Sequence, residues 1–207
     1  MRNRWDRCRA LLLAGLVALG AGSVAGAGAA EYSYRTNERD EVVMRLAGRI
    51  TAMDGAIFLA EVREHEPRII ELEGPGGDML SAVRIGVIIH ERYLRTHAVG
   101  TCLSACAYIW ISGLKMIADE GVEISNHLPV AIQGASVGRP DDKTIAIFGW
   151  YLGKLNISVE MMSAFLDEAM GPGVDGNGYF DMLAFARYWN APIEMRVPAP
   201  TYAAIEP

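Results

Sequence analysis

The sequence contains few cysteines, no long run of basic residues and no nucleotide-binding motif. Three cysteines among 207 residues are too few for a disulfide scaffold, and their spacing does not form a paired zinc-binding motif. Acidic residues outnumber basic ones by 25 to 19, and this excess argues against nucleic-acid binding. Neither GxGxxG nor GxxxxGK[ST] occurs after a predicted strand, so no nucleotide cofactor is expected.

The first thirty residues have the layout of a secretory signal peptide. Four arginines begin the chain, an apolar run follows from Ala10 to Leu19, and small residues extend from Ala21 to Ala30. The apolar run has about ten residues, whereas a membrane-spanning helix needs about 20. We expect cleavage after Ala27, Ala29 or Ala30, and a periplasmic or secreted protein with no stable membrane span.

Removal of residues 1–29 changes the charge and the cysteine count. Four Arg and one Asp leave with this segment, so the net charge changes from −6 to −9. Residues 30–40 are polar and are predicted to be a flexible lead-in, and residues 41–207 are predicted to form one domain. Strands alternate with helices along this domain, which indicates the α/β class.

Two segments of the domain carry candidate chemistry. In the first, a short strand from Arg68 to Leu72 leads into the glycine-rich stretch Gly74–Gly77, which predicts a turn before a helix from Asp78 to Arg95. In the second, Ser104 begins an apolar helix. A serine at this place is usually only a helix cap, although a nucleophile also benefits from the helix N-terminus.

The order and spacing of these two segments resemble the Clp-protease/crotonase superfamily and, within it, the exported Clp-protease-like serine hydrolases. Gly74–Gly77, the following helix and the segment Cys102–Cys106 occur in the family's order, and Gly113 matches the glycine that ends the nucleophile helix. The resemblance covers Glu41 to Asn190 in layout. It implies a single-domain ClpP/crotonase-like spiral of β-β-α units.

The resemblance also implies a role for individual residues. Ser104 corresponds to the nucleophile, and the N–H groups of Gly77 and Ala105 correspond to the oxyanion hole. His127 lies 23 residues after Ser104 and corresponds to the general base. A histidine can accept the serine proton and return it to the leaving group. His65, His90 and His97 all precede Ser104, and we expect surface or cap roles for them.

The third member of a catalytic triad stays open at this point. The family places an Asp in a late loop, which corresponds here to residues 171–178. Asp175 is the candidate, while Asn177 lies opposite the family's Asp in the closest register and Asp181 is nearby. Without an acid at this place, the site would be a Ser-His dyad.

A Ser-Lys pair is an alternative to a Ser-His pair, because Lys115, Lys143 and Lys154 follow Ser104. Two neighbouring aspartates favour the charged form of Lys143, which cannot act as a base.

Cys102 and Cys106 bracket Ser104 and allow two interpretations. Cα atoms four residues apart on a helix lie within the range of a disulfide, which an oxidising compartment would favour. The alternative is two buried thiols that pack like small apolar residues. No metal site is expected there, because the neighbouring sequence offers no further ligands.

The sequence therefore predicts an exported serine hydrolase, a peptidase acting on a peptide or protein substrate and requiring no cofactor. A catalytically inactive relative that binds a peptide or a partner is the main alternative. A crotonase-type acyl-CoA enzyme is disfavoured, because export separates the protein from CoA. The resemblance also implies self-association into a homo-oligomer.

Overall fold

The computed structural model describes residues 29–127, 131–133, 136–138, 141–170 and 180–197. Within these residues, strands and helices alternate from β2 to α3. The strands are β1 Glu31–Thr36, β2 Val42–Ile50, β3 Ile69–Gly77, β4 Arg95–Leu103, β5 Met116–Asp119, β6 Glu123–Asn126, β7 Ala131–Gln133, β8 Ser136–Gly138, β9 Phe180–Asp181 and β10 Ile193–Arg196. The helices are α1 Asp54–His65, α2 Met79–Glu91, α3 Ala105–Trp110, α4 Asp142–Lys154, α5 Val159–Met170 and α6 Met182–Tyr188.

The main sheet has the order β1-β2-β3-β4-β5-β10 and is parallel except for β1. The end of β4 pairs with β6, which in turn pairs antiparallel with the short β9. Strands β7 and β8 form a separate hairpin. Helices connect the successive parallel strands β2, β3, β4 and β5, as a parallel sheet requires. The α/β fold class predicted from the sequence is confirmed.

The core lies between the sheet and the helices. Met44 and Leu46 on β2 and Ile70 and Leu72 on β3 are almost completely buried, with the period of two that puts alternate side chains on one face. In α2, Ala82, Ile85 and Ile89 are fully buried at helical spacing, and Asp78 caps the helix by accepting from the N–H of Ser81. This packing fixes the strand ends that carry the site.

The prediction that residues 30–40 form a flexible lead-in is wrong for more than half of this segment. Within residues 30–40, Glu31–Thr36 forms strand β1, which pairs antiparallel with β2 over all six residues. Five of these six residues are exposed, so little hydrophobic patterning indicates the strand. Main-chain hydrogen bonds to β2 hold β1 in place, and the Tyr32 hydroxyl adds a bond of 3.1 Å to the Asp54 carboxylate.

The glycine-rich stretch is not a simple turn. Strand β3 continues through it to Gly77, with a register shift against β4 between Leu72 and Gly74. Gly76 has φ +90°, which other residues rarely adopt. The strand therefore extends past its regular part and reaches the neighbourhood of Ser104.

The predicted signal peptide, residues 1–29, lies outside the described residues except for Ala29. Ala29 forms an isolated parallel bridge with Arg49. Among the residues that the structure describes, no helix has the length and apolar character needed to cross a membrane.

Candidate active site

Ser104 occupies a strained turn between β4 and α3. Its backbone has φ 52° and ψ −120°, and its N–H donates to the carbonyl oxygen of Ser125 on β6 at 2.8 Å. A non-glycine residue with positive φ is uncommon and often marks a functional turn. The Ser104 side chain makes no capping hydrogen bond, although it holds the N-cap position of α3. The turn therefore leaves the hydroxyl for another partner.

That partner is His127. The Ser104 Oγ and His127 Nε2 atoms lie 2.9 Å apart, which is hydrogen-bond distance. The parallel strands β4 and β6 pair at Leu103 and Ser125, so both chains reach the same edge of the sheet just before these two residues. A serine hydroxyl beside an imidazole nitrogen is the arrangement in which the base can remove the serine proton.

Gly76 lies directly against the nucleophile turn. A Cβ atom on Gly76 would come within 2.6 Å of the Leu103 carbonyl oxygen and 2.7 Å of both the Ala105 nitrogen and the Ser104 Cβ. Gly77 follows it, and a Cβ on Gly77 would instead meet the main chain of Ile50 on β2. Of the two predicted oxyanion-hole residues, Ala105 therefore lies in contact with Gly76, and Gly77 directly follows Gly76 in the chain. Their role stays a prediction. No separate role of Gly76 was predicted from the sequence.

Tyr108 and Asn126 also contact His127, although the sequence predicted no role for either. The Tyr108 hydroxyl donates to the His127 carbonyl oxygen at 2.9 Å, and Asn126 Oδ1 accepts from the His127 N–H at 2.7 Å. Burial raises the pKa of Tyr108, and the Asn126 amide partly opposes this rise. The signal in the sequence was weak: Tyr108 lies one helical turn after Ser104, and Asn126 precedes the candidate base.

Only one of the three candidates for the third triad position lies in the described part of the chain. Asp175 and Asn177 lie outside it. The Asp181 carboxylate accepts from the N–H groups of Leu183 and Ala184 at 2.8 and 3.1 Å and so caps α6. Asp181 therefore has a structural role of its own, and Asp175 stays the predicted partner of His127.

The structure contains a disulfide between Cys102 and Cys106, with Cα atoms 5.1 Å apart. Cys102 lies near the end of β4 and Cys106 in the first turn of α3, and both are almost fully buried. Of the two interpretations left open by the sequence, the structure shows the disulfide. The bond closes the turn that carries Ser104.

The described contacts give no support to a Ser-Lys pair. The Lys115 ammonium bonds to the Glu194 carboxylate, and that of Lys154 lies 3.9 Å from Glu91. Lys143 is exposed in the first turn of α4. Among the described residues, no group of three or more His, Cys, Asp or Glu side chains is placed to hold a metal ion.

The fold that carries this Ser-His contact is a Clp-protease-like α/β fold. It is similar to a mutant of ClpP1 from Listeria monocytogenes, with a TM-score of 0.53 and 12% sequence identity, over 75% of this chain and 91% of that chain. A mutant of the 1510-N membrane-bound stomatin-specific protease is similar at a TM-score of 0.49 and 16% identity, over 75% of this chain and 78% of that one.

Another mutant of that protease, in complex with a substrate peptide, has a TM-score of 0.46 and 16% identity, over 76% of this chain and 91% of that chain. No protein-family model matches the sequence, and no curated protein does. At 12% identity, the likeness to ClpP1 establishes the fold alone.

Proposed function

We propose that the protein is an exported serine hydrolase, a peptidase that works through an acyl-enzyme on Ser104 with His127 as the general base. The observation that carries this proposal is the 2.9 Å contact between Ser104 Oγ and His127 Nε2. This contact occurs at a serine with positive φ whose side chain does not cap its helix. An ordinary helix cap has neither property.

The proposed reaction follows from these positions. The Ser104 oxygen attacks the substrate carbonyl carbon while His127 Nε2 takes the hydroxyl proton. The negative charge that develops on the carbonyl oxygen is stabilised by the N–H groups of Gly77 and Ala105, each worth about 3–4 kcal/mol in comparable sites. His127 then returns the proton to the leaving amine. Water, activated by the same histidine, releases the acyl group from Ser104.

The substrate class and the assembly state are proposed from the fold. The fold is shared with ClpP1, and this supports a peptide or protein as substrate. The same likeness supports a homo-oligomer. Neither an energy-dependent partner nor a cofactor is needed for the chemistry described above.

Export is proposed from the N-terminal pattern. The arginine-rich start, the apolar run and the small-residue tract are typical of a secreted precursor, and the Cys102–Cys106 disulfide is compatible with an oxidising compartment. The mass of the protein recovered from a periplasmic extract tests this. A chain beginning between residues 28 and 31 supports export, and a full-length chain confined to the cytoplasm contradicts it.

Labelling with a fluorophosphonate probe tests the catalytic proposal, because such probes react with an activated serine. We expect covalent labelling of the folded protein with intact mass increased by one probe. Ser104→Ala should abolish it. Ser112→Ala is the matched control, since Ser112 lies just after α3 and its hydroxyl donates to the Ile109 carbonyl oxygen rather than contacting His127. It should leave labelling unchanged.

Two results contradict the proposal. One is no labelling of protein that circular dichroism shows to be folded, which would favour the non-catalytic, partner-binding alternative. The other is labelling that survives in Ser104→Ala. Hydrolysis of casein and of a short peptide ester then separates peptidase from esterase activity in the labelled protein.

A further inference from the structure

The main chain of His127 is held by side chains rather than by the sheet. Strand β6 ends at Asn126, so His127 lies beyond the last ladder pair. Its N–H donates to Asn126 Oδ1 at 2.7 Å, and its carbonyl oxygen accepts from the Tyr108 hydroxyl at 2.9 Å. Both polar groups of this peptide unit therefore have a defined partner, although regular pairing has ended.

Tyr108 is itself fixed on the nucleophile helix. It is 3% exposed, and its ring packs edge-on against Phe148 with centroids 4.7 Å apart. Its N–H bonds to the Ser104 carbonyl oxygen at 3.2 Å, and its own carbonyl oxygen accepts from the Tyr151 hydroxyl at 2.6 Å. Burial raises the Tyr108 pKa, so the hydroxyl stays protonated and able to donate. A movement of α3 would therefore displace Ser104 and the donor to His127 together.

Asn126 is fully buried, and this is costly for an amide. The Asn126 amide lies close enough to the Tyr108 hydroxyl to lower the Tyr108 pKa, but its Nδ2 makes no bond of hydrogen-bond geometry to a described residue. Its Oδ1 accepts from the His127 N–H. A buried, unsatisfied donor usually costs about 1–3 kcal/mol. An apolar residue of similar size would avoid that cost but would lose the contact to His127. The position of this amide is thus best explained by what it does for the next residue.

We infer that Tyr108 and Asn126 are positioning residues that hold the His127 main chain where the imidazole Nε2 reaches the Ser104 hydroxyl. This inference rests on the proposed function, since it assigns a purpose to the same Ser-His contact. A displacement of about 1 Å between reacting groups can reduce a rate about 100-fold. Two short hydrogen bonds to the base's own peptide unit restrict such a displacement.

Tyr108→Phe tests the inference with Ser112→Ala as its control. Each change removes one buried hydroxyl that donates to a main-chain carbonyl oxygen, but only Tyr108 contacts His127. We expect the maximal rate of fluorophosphonate labelling to fall 10- to 100-fold in Tyr108→Phe, with the probe's half-saturating concentration unchanged. Ser112→Ala should change the maximal rate less than threefold at a comparable melting temperature.

Asn126→Ala provides a second, independent arm and should slow labelling in the same way. Because Tyr108 and Asn126 act on one peptide unit, the double variant should lose less than the product of the two single effects. Equal labelling rates in Tyr108→Phe, Asn126→Ala and Ser112→Ala would overturn the inference. So would fully multiplicative losses in the double variant.

Crystal structures of the two single variants separate this inference from the proposed function. We expect the distance between Ser104 Oγ and His127 Nε2 to exceed 3.5 Å, or His127 to occupy more than one position. If the wild-type protein is not labelled but the variants show this displacement, the proposed function fails and the positioning role stands. If the distance stays near 2.9 Å in both variants, the positioning role fails whatever the labelling shows.

Discussion

His127 and His97 each have a side-chain partner at nearly the same distance, but only His127 faces the candidate nucleophile. His127 Nε2 lies 2.9 Å from the Ser104 hydroxyl, and His97 Nε2 lies 2.8 Å from the Asp119 carboxylate. A short distance to a partner therefore does not identify a catalytic base. The identity of the partner and the backbone around it distinguish the two sites.

His97 belongs to an ionic network in the middle of the sheet. It is 7% exposed on β4, Glu71 lies beside it on β3, and the Glu71 carboxylate bonds to the Arg35 guanidinium at 2.6 Å. The expected surface or cap role of His97 was wrong, because neighbouring strands bury it. The network contains no nucleophile, and its residues lie in regular strands, so it is a structural cluster.

The site around His127 differs in two ways. Its partner is a serine with positive φ, and a glycine of β3 lies against that serine's Cβ. Strain and close approach of this kind must be maintained by the surrounding structure and are concentrated at functional sites. Both imidazoles therefore have short polar contacts, and the two sites are distinguished by the backbone conformation around the partner residue.

Exchanging each histidine for glutamine should separate the two sites most strongly. His127→Gln removes the base and should lower the labelling rate about 10²- to 10⁴-fold with little change in stability. His97→Gln should cost about 1–3 kcal/mol of unfolding free energy by disturbing the buried network, with labelling of the folded protein within twofold of wild type. Labelling kinetics measure the rate of each variant, and urea denaturation measures its free energy of unfolding. Equal loss of labelling in the two variants would contradict the view that His127 acts on Ser104 while His97 has a structural role.

Gly76→Ala should break the close approach between β3 and the Ser104 turn. The added methyl group would lie 2.6–2.7 Å from three atoms of the nucleophile turn, at a φ that alanine avoids. We expect a loss of about 2–5 kcal/mol in unfolding free energy and at least a tenfold slower labelling. Gly121→Ala is the matched control, because Gly121 has φ +81° but open space around it. It should cost about 1–2 kcal/mol and leave labelling unchanged. Similar effects of both changes would mean that only backbone strain matters at Gly76.

Opening the disulfide should have the smallest effect of the three. Replacement of Cys102 and Cys106 together by alanine releases a loop of a few residues, which corresponds to about 2 kcal/mol of unfolding free energy in the chain-entropy view. Because the loop contains Ser104, labelling should slow several-fold, whereas the His97 network should stay intact. Thermal unfolding and labelling with and without reductant measure this. If the double variant is as stable and as rapidly labelled as the wild type, the disulfide does not brace the turn.

The sequence predicted the class and the order of most elements well. The helix expected from Asp78 to Arg95 forms as α2, Met79–Glu91, because its apolar residues recur at helical spacing and Asp78 caps its start. The pairing of Ser104 with His127 could be anticipated because the order of elements resembled a known fold. Spacing alone would not have brought two residues 23 positions apart into contact.

Other features depended on contacts that a single segment does not encode. Strand β1 exists because β2 offers an unpaired edge, and its exposed side chains leave almost no hydrophobic pattern. The continuation of β3 through its glycines depends on neighbours on both sides. Tyr108 and Asn126 acquire their role only when α3 and β6 meet.

The sequence by itself determined the chemistry available: one serine at a helix start, one histidine after a strand, and two cysteines around the serine. Periodicity and end signals act over a few residues, so these features can be recognised locally. Only the tertiary structure decided that the Ser104 side chain leaves its cap position for His127, that the cysteines are joined, and that His97 is buried. Each of these outcomes depends on which distant strands and helices come together, since burial and hydrogen-bond geometry are properties of the packed chain.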